Sequence, residues 1–144
     1  MNVIEIIGGT QSQRNYATSM VYFCIDMLMP RMQTLDIEVK LTAPQGAMGY
    51  CLETDNNRTF EIELDRKLPL RKLMETLAHE MVHVKQYARR EFHPAHDKWM
   101  GKTINPKKVS YWDLPWEIEA HGREVGLFVR WCEANNYTAK WTQL

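Results

Sequence analysis

The chain of 144 residues carries 18 lysines and arginines against 18 aspartates and glutamates, so its formal net charge at neutral pH is zero. A neutral chain has no global field to hold nucleic acid or an anionic membrane, although this length is sufficient for one hydrophobic core. We therefore expect a single domain over residues 1–144, no membrane partner, and nucleic-acid binding only through a local patch.

The three cysteines, Cys24, Cys51 and Cys132, lie far apart and include no CxxC pair. This pattern predicts reduced thiols in the core of a cytoplasmic protein. The N-terminal stretch MNVIEIIGG has no basic residues ahead of a long apolar run, and no apolar run approaches the length that spans a bilayer. We therefore expect the protein to remain in the cytoplasm.

Alternating apolar and polar residues dominate the first half of the chain. Residues 3–7 (VIEII) predict a short strand, after which Thr10 or Ser12 can cap a helix that runs to Pro30. The stretches LDIEVKL, MGYCLE and RTFEIEL, within residues 35–64, are separated by turn residues. We expect them to form an antiparallel sheet of about three strands.

A long amphipathic helix is predicted to begin near residues 68–70 and to run through RKLMETLAHEMVHVKQYA. One apolar stripe would pack on the core, and His79 and His83 would lie on the opposite side, about 40° apart. The residues of that stripe are Leu70, Met74, Leu77, Met81 and Ala88.

The remaining chain predicts a long connection and a last helix. Residues 91–114 show no clear period, which favours an irregular connection with one hairpin, and such length often indicates function. Asp113 is expected to cap a helix that has Pro115 in its first turn and ends near Asn135.

The stretch AHEMVHV, residues 78–84, has the spacing His-Glu-x-x-His. Two histidines at positions i and i+4 of a helix can bind one zinc ion, and the intervening Glu80 can then act as general base. The alternative is a pair of solvated surface histidines. Apolar residues surround the motif, however, so we expect a buried or half-buried zinc site at His79 and His83.

Zinc in a hydrolytic site needs three protein ligands, so a third must come from elsewhere in the chain. On a helix, Glu117 and Glu119 point about 200° apart, so at most one of them can face the metal. Tyr111 or His121 can support the ligands or donate a hydrogen bond to the transition state. The candidates for the third ligand are His93, His96, Glu117, Glu119 and His121.

HExxH on one helix followed by Glu-Ile-Glu-Ala at residues 117–120 resembles the glutamate zincins, a likeness that implies Glu117 as the third ligand. The runs TLAHEMVHVKQY, KWMGK and YWDLPWEIEAHGRE are similar to those of small, phage-encoded SprT-like metallopeptidases. In cellular SprT proteins a histidine in a His-Gly segment after the motif is the third ligand. His96 stands near that place, with Asp97 instead of the glycine.

The resemblance implies an α+β, zincin-like fold: a small antiparallel sheet, an N-terminal helix, the HExxH helix and a C-terminal helix. It also implies peptide hydrolysis by a zinc-activated water, with His79, His83 and Glu117 as ligands and Glu80 as general base. The stretch TFEIEL is similar to the zincin edge strand, along which an extended peptide substrate binds. A phage-encoded member would act in the cytoplasm of its host.

Two other functions remain open. Zinc could staple two helices of a non-catalytic binding or adaptor protein, although such a site has no need of a general base at Glu80. The chain could also be a DNA-associated protease of the SprT type, because basic pairs such as Arg66-Lys67 and Arg89-Arg90 could form a local patch.

Overall fold

The computed structural model describes residues 1–44 and 46–143, apart from the side chain of His96. These residues form three α-helices, a four-stranded sheet and a small three-stranded sheet, so the predicted α+β class is confirmed. The helices are α1 (Gln11–Leu28), α2 (Leu70–Ala88) and α3 (Pro115–Asn135). The strands are β1 (Val3–Gly8), β2 (Asp36–Thr42), β3 (Gly49–Glu53), β4 (Thr59–Asp65), β5 (Phe92–His93), β6 (Lys98–Trp99) and β7 (Lys102–Thr103).

The larger sheet has the strand order β1-β2-β4-β3, in which β1, β2 and β4 are parallel and β3 is antiparallel to β4. The prediction of a three-stranded antiparallel sheet was therefore wrong. Alternating residues indicate a half-buried strand but do not encode its direction. Helix α1 connects β1 to β2 as a crossover, which is the kind of connection that parallel neighbours require.

The two faces of this sheet differ in chemistry because successive side chains of a strand point to opposite sides. On the outer face, Lys40 forms ion pairs with Glu38 and Glu61. On the inner face, paired buried residues of β2 and β4 pack on the helices; they are Ile37 with Phe60, Val39 with Ile62, and Leu41 with Leu64. The core therefore lies between the sheet and the helices.

Strand β3 forms one edge of the larger sheet, next to β4. Strand β4, which contains TFEIEL, pairs with β2 on one side and β3 on the other, so its predicted place at the edge was wrong. The chain leaves β2, forms β3 at the edge and returns through a hairpin, which puts β4 between them. An interior strand and an edge strand can show the same alternation, so the pattern could not distinguish them.

Helix α1 is capped by Thr10, one of the two residues that the sequence offered, and the cap is a capping box with Gln13. The Gln13 backbone N–H donates to the Thr10 hydroxyl at 3.1 Å, and the Thr10 backbone N–H donates to the Gln13 side-chain oxygen at 2.9 Å. These bonds satisfy two N–H groups that a helix start otherwise leaves without partners.

Helix α2 begins at Leu70, as predicted, and is buried on nearly every side. Most of the predicted stripe is buried, and His79, Glu80 and His83 on the opposite side are only 8, 5 and 7% exposed. The burial that the apolar residues around the motif predicted is therefore present, because α3 and β3 cover this side of the helix. The polar residues of the motif therefore lie inside the protein.

The segment between α2 and α3 contains the predicted hairpin, extended to the three short antiparallel strands β5, β6 and β7. Phe92 stacks on Trp116 with ring centroids 4.1 Å apart and forms a second apolar cluster with Leu114. Asp113 does not cap α3: it lies in a preceding 3-10 turn, and Leu114 occupies the N-cap position.

The three cysteines are all free thiols, as expected. Cys24 and Cys132 are buried, but Cys51 is only half-buried on β3. Among the described helices, none is both long and apolar enough to cross a bilayer.

Gly49 allows β3 to lie close to α2. A Cβ atom there would be 2.7 Å from Leu64 Cδ2, 3.0 Å from the Glu63 carbonyl oxygen and 3.1 Å from Thr76 Cγ2. Gly49→Ala is expected to lower the free energy of unfolding in urea by about 1–3 kcal/mol, because β3 must move. The control is Gly126→Ala, whose Cβ meets nothing within 4 Å and should raise stability. Unchanged stability of Gly49→Ala would contradict this close contact.

Candidate metal centre

Two imidazoles from α2 and one carboxylate from α3 converge at the centre of the molecule. His79 Nε2 is 3.1 Å from Glu117 Oε1, and His83 Nε2 is 3.3 Å from Glu117 Oε2. One ligand-type atom from each residue lies within 4.8 Å of the others. The structure thus brings together the three residues that the sequence favoured, although they are separated by a long stretch of chain. We call His79, His83 and Glu117 the metal group.

The donor set fits a zinc ion, which prefers imidazole nitrogens and carboxylate oxygens in groups of three when a position is kept open. In the chain without metal, burial alone would lower the pKa of His79, but the carboxylates of Glu117 and Glu124 raise it to about 9. Burial alone would raise the pKa of Glu117, but the hydrogen bonds that its carboxylate accepts from His79 and His83 outweigh this effect. The pKa of Glu117 is therefore well below its usual range. The pocket therefore favours positive charge beside Glu117.

The side chain of Gln86 forms a hydrogen bond with Nδ1 of His83, the ring nitrogen that does not face Glu117. Its side-chain NH₂ donates to the Trp116 carbonyl oxygen at 2.9 Å and to Glu119 Oε1 at 3.0 Å, so its own oxygen must face His83. That oxygen lies 2.8 Å from His83 Nδ1, which therefore carries the proton. Nε2 is then the nitrogen that would bind a metal, and in the chain without metal it donates to Glu117 instead.

Nδ1 of His79, the ring nitrogen that does not face Glu117, lies 3.3 Å from Oε2 of a second carboxylate, Glu124. Glu124 also lies 3.0 Å from His121 Nδ1, and the hydroxyl of Tyr111 is 3.0 Å from both His121 Nε2 and Glu117 Oε1. Tyr111 and His121 thus lie beside His79 and Glu117, as the sequence predicted. His79, His121 and Glu124 form a second group whose ligand-type atoms lie within 4.8 Å of one another, so His121 also remains a candidate ligand. Glu124 was not predicted, although its spacing of one helical turn from His121 could have indicated it.

Glu119 lies on the other side of α3 and is not part of the metal group, which corrects that alternative. Its carboxylate forms ion pairs with Lys85 and Arg123 and accepts the hydrogen bond from Gln86. Lys85 is only 7% exposed, and a buried ammonium group requires a carboxylate partner. Lys85 also pairs with Glu91 at 2.9 Å, and its contact with Glu119 keeps that glutamate on the side of α3 away from the histidines.

The two remaining histidine candidates lie after α2. His93 is in β5 and does not belong to the group. The side chain of His96 lies outside the described residues; its backbone closes the 3-10 turn Pro94–His96. The next residue, Asp97, has a left-handed backbone with φ of 50°, a conformation that glycine adopts most easily. The aspartate therefore occupies a position that would suit a glycine.

Glu80 faces a cleft beside the metal group. It is 5% exposed, makes no hydrogen bond to any described residue, and has a pKa raised mainly by burial. The cleft has a volume of about 280 Å³. Its lining comprises the three ligand residues, Glu80, the β3 residues Gly49, Tyr50 and Cys51, and the aromatic residues Tyr87, Phe92, Tyr111 and Trp116.

Comparison of the chain with known protein families, with curated proteins and with solved structures found no match. The features that bear on function are therefore those of the site itself. They are a group that can hold a metal, a buried carboxylate beside it that makes no hydrogen bond to residues the structure describes, and a cleft that reaches both.

The roles of the two glutamates can be separated by measuring metal and stability together. Glu117→Ala is expected to lose zinc, measured by elemental analysis of the purified protein, because two imidazoles alone hold it weakly. Glu119→Ala should retain one zinc per chain but lose about 1–3 kcal/mol of unfolding free energy, because Lys85 loses one of its partners. Loss of zinc from Glu119→Ala alone would refute this assignment.

The contact between Gln86 and His83 can be tested through zinc affinity. Gln86→Met removes the acceptor that fixes the His83 proton, and zinc affinity is expected to fall about 10–100-fold in a competition titration with a chelator. Glu119→Ala is the control, because it lowers stability without removing the His83 acceptor. Equal zinc affinities for Gln86→Met and the wild type would show that His83 does not depend on this bond.

Proposed function

We propose that the chain is a zinc-dependent metalloendopeptidase with a zincin-like fold, similar to the small SprT-like metallopeptidases. The observation that carries the proposal is the position of Glu80, a buried carboxylate with no hydrogen bond to the described residues, at the wall of an open cleft. The arrangement of the elements supports it: α2 provides the HExxH motif, α3 provides Glu117, and the antiparallel edge strand β3 borders the cleft.

His79, His83 and Glu117 would hold the zinc ion. Zinc at this position would polarise the scissile carbonyl group and make water a better nucleophile at neutral pH. Gln86 keeps the His83 lone pair on the nitrogen that faces Glu117, and Glu124 does the same for His79. These contacts preserve the orientation of both imidazoles when a substrate enters the cleft.

Glu80 would act as the proton carrier of the reaction. Its carboxylate accepts the proton of the attacking water and then passes it to the nitrogen of the leaving amine. Burial, which raises the pKa of Glu80, makes it a better base than an exposed glutamate. The Tyr111 hydroxyl donates to Glu117 and lies 3.0 Å from His121 Nε2 in the chain without metal. With Glu117 bound to zinc, this hydroxyl would be free to donate a hydrogen bond to the oxyanion instead.

The edge strand β3 supplies the surface for an extended substrate. An edge strand has backbone N–H and C=O groups that can pair with another extended chain. The residues Gly49, Tyr50 and Cys51 of β3 border the same cleft as Glu80. A peptide paired with β3 would therefore pass its backbone across the metal group.

A zinc staple without catalysis is the other candidate that the site raises. Structural zinc sites are closed by four protein ligands, whereas each of the two groups that share His79 has three members, and the group with Glu117 borders a cleft of about 280 Å³. The balanced charge of the chain gives no specific support for DNA-associated proteolysis. Peptide hydrolysis is therefore the function that we favour.

Substitution of Glu80 separates hydrolysis from metal binding. Glu80→Gln is expected to keep one zinc per chain while its hydrolysis of an unfolded protein substrate falls by at least about a hundredfold, because the proton acceptor is lost. Glu75→Gln, on the same helix and outside the cleft, is the control for the loss of one carboxylate. Hydrolysis by Glu80→Gln at the wild-type rate would contradict the proposed role. Zinc without hydrolysis in the wild type would favour the staple.

A further inference from the structure

Three cavities that share lining residues lie in a row along β3, and together we call them the groove. The cleft at the metal group shares Gly49, Glu80 and Tyr111 with a larger cavity at the N-terminal end of the strand. It shares Tyr87 and Phe92 with a third cavity at the C-terminal end. Five residues of strand are about 17 Å long, so the groove matches an extended peptide of five or six residues.

The N-terminal end of the groove has exposed apolar walls. Met48 is 49% exposed and Trp112 is 67% exposed, and both line the same cavity of about 560 Å³. The Trp112 ring lies 4.9 Å from His121 and 5.2 Å from Tyr111, so contacts with residues of the metal site hold it in place. Apolar side chains that remain exposed beside a cleft indicate a surface that binds other apolar groups.

A lysine lies further along the same end. Lys72 lines this cavity and forms no ion pair with any described residue, whereas Arg71 and Lys85 of the same helix both have carboxylate partners. Lys72 precedes His79 by two helical turns, or about 10 Å along the axis of α2. An extended chain covers that distance in about three residues.

The opposite end of the groove has a mixed lining. Its cavity of about 510 Å³ is lined by the polar residues Glu53, Asp55, Asn56, Asn57, Arg90 and His93 and by the apolar or aromatic residues Tyr87, Phe92, Pro94 and Ala95. Tyr87 and Phe92 stack on each other with ring centroids 5.5 Å apart, so they are less available to a ligand than the 67% exposed ring of Trp112. The two ends therefore differ, and the end that holds Trp112 and Lys72 offers the more accessible aromatic surface.

Resting on the proposed function, we infer that the enzyme selects extended segments with a large apolar side chain next to the scissile bond and a carboxylate about three residues further on. The apolar side chain lies between Met48 and Trp112, and the carboxylate pairs with Lys72. An acidic side chain or the C-terminus of the substrate can supply this carboxylate, since both present the same group to the lysine.

The inference is tested with labelled peptides that differ at one position at a time. The set exchanges leucine for alanine at the apolar position and glutamate for glutamine at the acidic position, on both sides of the scissile bond. A further pair ends at the acidic position with either a free carboxylate or an amide. Binding is measured by fluorescence anisotropy on zinc-loaded Glu80→Gln, and kcat/KM is measured on the wild type.

Each preference should be about tenfold and should depend on one residue of the groove. Trp112→Ala is expected to lose the preference for leucine, and Trp112→Phe to retain it. Lys72→Gln should lose only the preference for a carboxylate. Tyr22→Ala and Lys67→Gln, which remove an exposed aromatic ring and a lysine outside the groove, should keep both preferences.

The outcomes separate this inference from the proposed function. Peptide hydrolysis without these preferences, or with preferences that the two groove variants leave unchanged, would overturn the subsite while the hydrolase stands. If the wild type cleaves no peptide, the proposed function fails. The selectivity of the groove is then tested by peptide binding alone, measured by fluorescence anisotropy on Glu80→Gln. Selective binding would then support it, and equal or absent binding of all peptides would overturn it. The peptide that ends at the acidic position distinguishes a side-chain carboxylate from a C-terminal one.

Discussion

The burial of polar side chains between α2 and α3 is the constraint on which the rest of this structure depends. About two turns of α2, from His79 to Gln86, place imidazole, ammonium and amide groups in largely buried positions, and each would be costly there without a partner. Helix α3 supplies those partners at matching intervals. They are the carboxylates of Glu117, Glu119 and Glu124 and the carbonyl group of Trp116.

These partners divide α3 into two polar sides with different tasks. Glu117, His121 and Glu124 follow one another at the spacing of helical turns and face the histidines. Glu119 and Arg123 are also one turn apart, but they face Lys85 and close the contact between the helices. A rotation of α3 about its axis would break both sets together. The position of the metal group is therefore determined by interactions that do not involve a metal.

Local rules accounted for much of the fold and the site. The HExxH spacing predicted His79, Glu80 and His83, and the 200° separation of Glu117 and Glu119 established that only one could face them. The choice between the two depended on Lys85, which in the sequence looks like any other lysine of an amphipathic helix. Its burial results from the packing of α3 and the following segment on α2, and a local pattern does not contain that information.

The sheet was less predictable for a related reason. Alternation shows which residues of a strand face the core, but the order and direction of the strands depend on the crossover through α1 and on the hairpin that returns β4 to the interior. The interpretation of TFEIEL as the edge failed on this point. Glu124 was missed because it contacts His79 from a distant part of the chain.

An open edge strand carries a hazard of its own, because the same backbone groups that would pair with a substrate can pair with another copy of the chain. The outer face of this sheet bears the charges of Glu38, Lys40, Glu61 and Glu63 rather than an apolar surface. Charged faces resist the dry stacking of sheets that stabilises fibrils. The chain thus keeps an edge free for pairing while its neighbouring face opposes aggregation.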